Sequence, residues 1–174
     1  LLCGAASLGA KVKLPALVGD NMILQQQTEV KLWGTAAPEA EVRVTPSWNG
    51  QTMTCRADKD GGWTLAVETP AAGYTPYEIT FDDGEKTTLK NILIGEVWLA
   101  SGQSNMEMPL KGFAGCCIMN GADDIIVSAE NKGVRMFTVP KHQTYELQTD
   151  CKGSWNISSI ETAPDFSATA YYFA

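Results

Sequence analysis

The sequence predicts an antiparallel β-sandwich followed by the beginning of an α/β domain. From Lys11 to Leu93, short runs rich in β-branched and aromatic residues alternate with turn clusters, without helical periodicity. About seven closely spaced strands of this kind are typical of an immunoglobulin-like or jelly-roll sandwich. At Gly95 less regular stretches replace the alternating runs. We therefore assign the β-sandwich to residues 11–94 and the start of the second domain to residues 95–174.

Turn signals separate the strands of the predicted sandwich. The runs that predict strands or hairpins are EVKLWGT, EVRVTPSW, QTMTCRA, WTLAVET and YEITFDDGEKTTLKNILIG. Asn49-Gly50 favours a tight hairpin turn between the second and third runs, and Asp83-Gly84 favours a turn inside the last. Because hairpin turns join neighbouring strands, these signals predict antiparallel pairing throughout.

The second domain begins with an apolar run. Val97–Ala100 shows little alternation, which predicts a strand covered on both faces. Further along, GADDIIVSAEN has helical spacing, and Asp123 and Asp124 are favourable near a helix start. GVRMFTV then predicts a strand, and a long loop follows it.

A final helix is expected at the end of the sequence. Thr162 is a suitable N-cap, and Pro164 suits the first turn. Phe166, Ala170 and Phe173 then fall on one face. No Gly, Asn or Pro closes this apolar pattern. We expect the second domain to be only begun here, with its remainder supplied by another stretch of polypeptide.

The composition disfavours two classes of partner. The 174 residues include 13 Lys or Arg and 20 Asp or Glu, which gives a net charge of -7. Nucleic-acid binders and proteins of anionic membrane surfaces need basic patches, so we expect neither partner. No apolar run approaches the roughly 20 residues of a membrane-spanning helix. The hydrophobic content of 44% is typical of a folded globular chain.

The first ten residues, LLCGAASLGA, are small and apolar, and we interpret residues 1–10 as a signal-peptide remnant. An ordinary flexible N-terminus is the alternative. Export to the periplasm or the extracellular space would allow the cysteines to oxidise. A disulfide between Cys151 and either Cys116 or Cys117 is then one hypothesis, and buried free thiols are the other. No metal site is expected, because His142 is the only histidine and no CxxC pair occurs.

A serine follows the apolar run of the second domain. Gly102 permits a tight turn, and Ser104 lies two residues further on. A serine hydroxyl needs a base to become a nucleophile, and a turn from a strand into a helix exposes the hydroxyl beside free N–H groups. The pattern is not G-x-S-x-G, since Met106 replaces the final glycine. The spacing alone leaves a nucleophile and an ordinary loop or cap serine both open.

The longer segment GEVWLASGQSNMEMPL resembles the nucleophile block of the SGNH hydrolases. The similarity is to the branch that contains sialate O-acetylesterases and acetyl-xylan esterases, in which Gly-Gln-Ser-Asn-Met replaces Gly-Asp-Ser-Leu. It extends to LPALVGDNMILQQ, VKLWGTAAP and GSWNISSIETAPDFSATAYYFA. The resemblance therefore covers nearly all of residues 11–174, as a β-sandwich followed by the first part of a three-layer α/β SGNH domain.

The resemblance implies roles for three neighbouring residues. Ser104 would be the nucleophile, and its backbone N–H would be one oxyanion donor. Gln103 and Asn105 match the motif and would shape the turn and the acyl pocket. The family's Asp-x-x-His block is absent from the sequence, and we expect His142 to be a surface residue. The 174 residues should accordingly show little hydrolysis without the missing base.

The implied function is removal of acetyl groups from sialic acids by serine acyl transfer, without a metal or organic cofactor. Acetylated xylan is the alternative substrate, and a non-catalytic glycan-binding or structural module is the alternative of another class. Trp33 and Trp98 are expected in the core, whereas Trp48 and Trp155 are candidates for stacking on sugars. The adjacent pairs Asp82-Asp83 and Asp123-Asp124 fit turn and helix-start roles better than a two-carboxylate glycosidase site.

Overall fold

The computed structural model describes residues 11–174, so the predicted signal remnant at residues 1–10 lies outside the described residues. The strands are β1 (Ile23–Gln25), β2 (Glu29–Thr35), β3 (Glu41–Pro46), β4 (Met53–Arg56), β5 (Gly62–Glu68), β6 (Gly73–Asp82), β7 (Lys86–Gly95), β8 (Arg135–Phe137) and β9 (Trp155–Ile157). The helices are α1 (Ser104–Glu107), α2 (Gly121–Val127) and α3 (Ala168–Phe173), with short 3₁₀ turns at Ser128–Glu130 and Ala163–Asp165. None of these helices is long and apolar enough to cross a membrane.

The first seven strands form a curled mixed sheet and a smaller antiparallel pair. The larger sheet has the order β1-β7-β6-β3-β4, and β2 pairs with β5. The predicted hairpins are confirmed, because β3 pairs antiparallel with β4 and β6 with β7. The expectation of purely antiparallel pairing is wrong at one edge, where β1 runs parallel to β7. A parallel pair needs a long crossover, and the chain from β2 to β6 provides it.

Both sheets contribute to one hydrophobic core. Along β5, the buried residues Trp63, Leu65 and Val67 alternate with exposed ones, as the strand pattern predicts. Val42 of β3 and Phe81 of β6 are fully buried in the same cluster. The indole of Trp63 contacts the ring of Phe81 at a centroid distance of 5.8 Å. The alternating sequence pattern therefore correctly predicts which side chains of β5 face the core.

The segment after β7 differs from its prediction. Residues 96–100 form no strand in the described structure, and Leu99 is 94% exposed. The expectation of a strand covered on both faces is therefore wrong, because no neighbouring strand of residues 11–174 pairs with this segment. Trp98 is 63% exposed instead of belonging to the core, and its ring packs edge-on against Phe173 at 5.0 Å.

A second, smaller core lies after residue 95. Its buried members are Leu110, Met136, Ala163 and Ala168. The predicted helix at Asp123 and Asp124 and the predicted strand in GVRMFTV are confirmed as α2 and β8. The loop expected after β8 contains one further strand, β9, which pairs antiparallel with β8. This core is what fixes the position of α3.

The last helix begins later than predicted. Thr162 precedes the 3₁₀ turn that contains Pro164, and its hydroxyl donates to the carbonyl oxygen of Ile157 at 2.6 Å. Phe166 is extended, which separates that turn from α3. Ser167 is the actual N-cap, because its side chain accepts a hydrogen bond from the Ala170 N–H at 3.3 Å.

Direct contacts join the two cores. The Trp155 indole N–H donates to the carbonyl oxygen of Leu17 at 2.9 Å, and the Ala16 N–H donates to Asp150 Oδ1 at 2.9 Å. The guanidinium of Arg135 donates to Asn91 Oδ1 at 3.2 Å. Burial lowers the pKa of Arg135. These bonds connect β8, β9 and their loop to β7 and to the segment that precedes β1.

The four described cysteines are free thiols. Cys116 and Cys117 are exposed, and Cys55 and Cys151 are half-buried. The hypothesis of a disulfide to Cys151 is therefore not met in this structure, and the thiols are not fully buried either. Burial raises the pKa of the Cys55 thiol.

Candidate active site

Ser104 lies at the first position of α1, where the unpaired segment after β7 enters a single helical turn. Ser104, Gln103 and Asn105 are all exposed. A Cβ at Gly102 would lie 3.2 Å from the Cβ of Met106, a tight contact that glycine avoids. The three residues of the Gln-Ser-Asn motif therefore face solvent on one tight turn.

The backbone of α1 leaves donors at its start. The N–H groups of Met106 and Glu107 donate to the carbonyl oxygen of Gln103 at 2.9 and 3.1 Å, and the Met108 N–H donates to that of Ser104 at 3.2 Å. Among the described residues, the N–H groups of Ser104 and Asn105 meet no acceptor. Two donors beside an exposed hydroxyl can hold an anionic oxygen.

A second segment supports this turn from behind. The Thr169 hydroxyl donates to the Asn105 carbonyl oxygen at 3.1 Å, and the Ala168 N–H donates to that of Met108 at 2.8 Å. Ser167 Oγ lies 3.2 Å from Met106 Sδ. The sequence contains no local signal for these contacts, because their partners are about sixty positions apart and meet only through tertiary packing.

His142 does not form a catalytic pair with Ser104 within residues 11–174. It is exposed, as expected, and neither of its ring nitrogens forms a hydrogen bond in the described structure. Its neighbour Lys141 pairs with Glu107 of α1 at 2.7 Å. Both partners of this ion pair are well exposed, so its contribution to stability is small.

Two carboxylates of the region after β7 have defined partners. The side chains of Gln25 and Gln26 donate to Glu96 at 3.0 and 2.6 Å, and these hydrogen bonds lower the pKa of Glu96. The Tyr172 hydroxyl donates to Asp124 Oδ2 at 2.6 Å, which raises the pKa of Tyr172 to about 12. Both carboxylates are therefore engaged in fixing the chain, and the described residues contain no cluster of three or more potential metal ligands.

The side chains of Asp82 and Asp83 and the remaining candidate tryptophans also have structural partners. Asp82 and Asp83 accept backbone N–H groups of their own turn, as predicted. Trp48 donates to the carbonyl oxygen of Glu68 at 3.0 Å and contacts the ring of Tyr77. Trp155 packs against the ring of Phe137, and Trp33 is half-buried against the core of the first sheet. The half-buried rings of Trp48 and Trp155 are thus held in packing contacts.

A cleft of about 650 Å³ lies beside the unpaired segment. Its walls include Val97, Trp98, Arg135, Met136 and Phe173. Ser104 does not line this cleft. The exposed side chains of Val97 and Trp98 therefore border a space that does not include the Gln-Ser-Asn turn.

Comparison with known proteins finds esterases of carbohydrate acetyl groups. No family model matches the chain. The sialate O-acetylesterase of Rattus norvegicus is 27% identical over 171 residues, which cover 90% of this chain and 30% of that protein. The sialate O-acetylesterase of Homo sapiens is 28% identical over 160 residues, covering 85% and 29%. A crystal structure of a carbohydrate acetylesterase from Xanthomonas citri superposes with a TM-score of 0.85 at 32% identity, covering 94% of this chain and 36% of that one.

The resemblance to the sialate O-acetylesterase family is thus confirmed.

The chain spans about 30% of the length of the curated relatives it matches. The structural match extends over 94% of the chain, so it includes both the sheets and the region after Gly95. The Gln-Ser-Asn turn thus stands in a fold that is shared with a carbohydrate acetylesterase.

Proposed function

We propose that this chain is part of a carbohydrate O-acetylesterase that removes acetyl groups from sialic acids by serine acyl transfer. One observation carries the proposal: Ser104 of the Gln-Ser-Asn motif is exposed on a helical turn beside two backbone N–H groups without an acceptor among the described residues. The relatives named sialate O-acetylesterase support sialic acids as the first substrate class.

The proposed domain organisation is a β-sandwich at residues 11–94 and the beginning of a three-layer α/β SGNH domain at residues 95–174. The core shared by the two sheets supports the first part. The order of α1, α2, β8 and α3 supports the second. The remainder of the hydrolase domain is the proposed partner, and it would cover the exposed side chains of Val97, Trp98 and Leu99.

In the proposed reaction, Ser104 Oγ attacks the acetyl carbonyl carbon while a histidine of the remaining polypeptide takes the hydroxyl proton. The Ser104 N–H donates to the tetrahedral oxyanion, and Gln103 and Asn105 shape the turn and the acyl pocket. The C–O bond to the sugar breaks, and the sugar oxygen receives the proton from the histidine. Water then attacks the acetyl-serine, which releases acetate and restores the Ser104 hydroxyl. No step calls for a metal or an organic cofactor.

The test uses the full-length protein and two serine variants. Ser104→Ala should abolish acetate release from O-acetylated sialic acid and covalent labelling by a fluorophosphonate. Ser101→Ala, which changes an exposed serine three positions earlier, should retain both. Equal labelling of the Ser104→Ala and unmodified proteins would contradict the proposal and favour a glycan-binding or structural module.

Acetylated xylan is the second substrate to compare. The same acyl transfer applies to it, so the ratio of kcat/KM for the two substrates decides between them. A higher value for acetylated sialic acid is expected. We also propose export of the protein, and N-terminal sequencing of mature protein from the extracellular or periplasmic fraction should find a start close to Lys11.

A further inference from the structure

The turn that carries Ser104 has little means of holding itself in place. α1 is four residues long, contains no buried residue, and lacks a side-chain cap at Gln103. Initiating a helical turn is unfavourable, since several backbone angles are fixed for each hydrogen bond gained. The conformation of Ser104 therefore depends on contacts from outside α1.

Those contacts come from Phe166–Thr169, which we term the α3 anchor. The Ala168 N–H donates to the Met108 carbonyl oxygen at 2.8 Å, and the Leu110 N–H donates to the Phe166 carbonyl oxygen at 2.9 Å. Ala168 and Leu110 are buried in the second core, so the α3 anchor is itself fixed. These two backbone bonds hold the chain just after α1.

Two side chains of the α3 anchor reach α1: Ser167 Oγ lies 3.2 Å from Met106 Sδ, and the Thr169 hydroxyl contacts Asn105, the residue next to Ser104. The Thr169 hydroxyl donates to the Asn105 carbonyl oxygen at 3.1 Å. That carbonyl shares a planar peptide unit with the Met106 N–H, which donates to the carbonyl oxygen of Gln103. The peptide unit that follows Asn105 is thus held at both ends, once by α1 itself and once by Thr169.

We propose that Thr169 is a positioning residue for the nucleophile. By fixing the peptide unit after Asn105, its hydroxyl keeps the Ser104 side chain and the donors at the start of α1 in reactive orientation. Thr169 does not act on the substrate itself. Its loss should therefore lower kcat and leave KM almost unchanged, because misorientation of a nucleophile slows the chemical step more than it weakens binding. This inference rests on the proposed function.

The test compares three variants of the full-length protein. Thr169→Val keeps the shape of the side chain and removes the hydroxyl, whereas Thr169→Ser retains the hydroxyl. Thr54→Val is the matched control, since Thr54 is an exposed threonine of β4 whose hydroxyl forms no hydrogen bond among the described residues. Acetyl release gives kcat and KM, and hydrogen–deuterium exchange reports the backbone of residues 103–108.

We expect Thr169→Val to lower kcat about three- to tenfold, which corresponds to the loss of one hydrogen bond. It should also speed exchange in residues 103–108, while Thr169→Ser and Thr54→Val behave as the unmodified protein. An unchanged kcat, a rise in KM alone, or unaltered exchange in that segment overturns the inference. If the valine variant fails to fold, Thr169→Ala carries the same test.

Failure of the proposed function would be recognised separately. If Ser104→Ala retains full esterase activity, Ser104 is not the nucleophile, and the catalytic part of the inference falls with it. The exchange measurement is independent of catalysis. It still decides whether Thr169 fixes the turn.

Discussion

Gly34 lies in strand β2, where larger residues are usual, but we expect it to tolerate no side chain. A Cβ at this position would lie 2.9 Å from Cζ2 of the buried Trp63 indole and closer still to the Lys13 carbonyl oxygen. Lys13 and Thr35 exchange two backbone hydrogen bonds of 2.8 and 2.9 Å, which the Gly34→Ala methyl group would disturb. The added methyl group would therefore both overpack the core at Trp63 and weaken the pairing of Lys13 with Thr35.

The expected cost follows from these two effects. Overpacking costs about 1–3 kcal/mol, and two weakened backbone hydrogen bonds add about 1 kcal/mol each at most. We therefore expect Gly34→Ala to lower the free energy of unfolding by about 1–5 kcal/mol. Urea denaturation followed by tryptophan fluorescence measures this change.

Gly73 provides the matched control. It also lies in a strand, β6, but no heavy atom of the described residues stands within 4 Å of a Cβ built on it. Gly73→Ala should leave stability unchanged or raise it by up to about 1 kcal/mol, because alanine restricts the unfolded chain. Equal destabilisation by the two substitutions, or a cost below about 1 kcal/mol for Gly34→Ala, would refute the packing argument.

Two further predictions concern titration. Hydrogen bonds from Gln25 and Gln26 lower the pKa of Glu96, so their stabilising effect is present above the unfolded pKa and is lost as the pH falls through the folded one. The stability difference between the unmodified protein and Glu96→Gln, measured by urea denaturation, should therefore shrink from pH 7 to pH 3; a constant difference would count against this. Tyr172 should ionise near pH 12 in a difference spectrum against Tyr172→Phe, because its hydroxyl donates to Asp124. Asp124→Asn should return that titration toward pH 10, and an unmoved titration would contradict the assigned cause.

The β-rich half could be predicted because its signals are local. Alternation in β5 directly encodes which side chains face the core, and Asp83-Gly84 encodes the turn between β6 and β7. The parallel pairing of β1 could not be predicted, since a three-residue strand carries no signal for the direction of its partner. Its neighbour β7 lies about seventy positions further along the chain.

The candidate site shows the same division between local and distant information. The residues around Ser104 predict an exposed serine on a turn, and Ser104 is exposed in the described structure, but distant residues hold the turn in place. The segment Val97–Ala100 has the composition of a doubly covered strand, but composition expresses a preference for burial and does not supply the neighbours that bury it. The contact of Thr169 with Asn105 depends on how the second core folds, so the sequence of neither segment predicts it.

The unpaired stretch after β7 also has a consequence for handling the molecule. The exposed apolar side chains of Val97, Trp98 and Leu99 favour association between copies of the chain. The net charge of -7 opposes that association through mutual repulsion. At 0.1 M, added salt screens the repulsion over distances beyond roughly 10 Å. It does not weaken the apolar association of the exposed side chains. The protein should therefore stay in solution in buffers of low ionic strength and precipitate at high salt concentration.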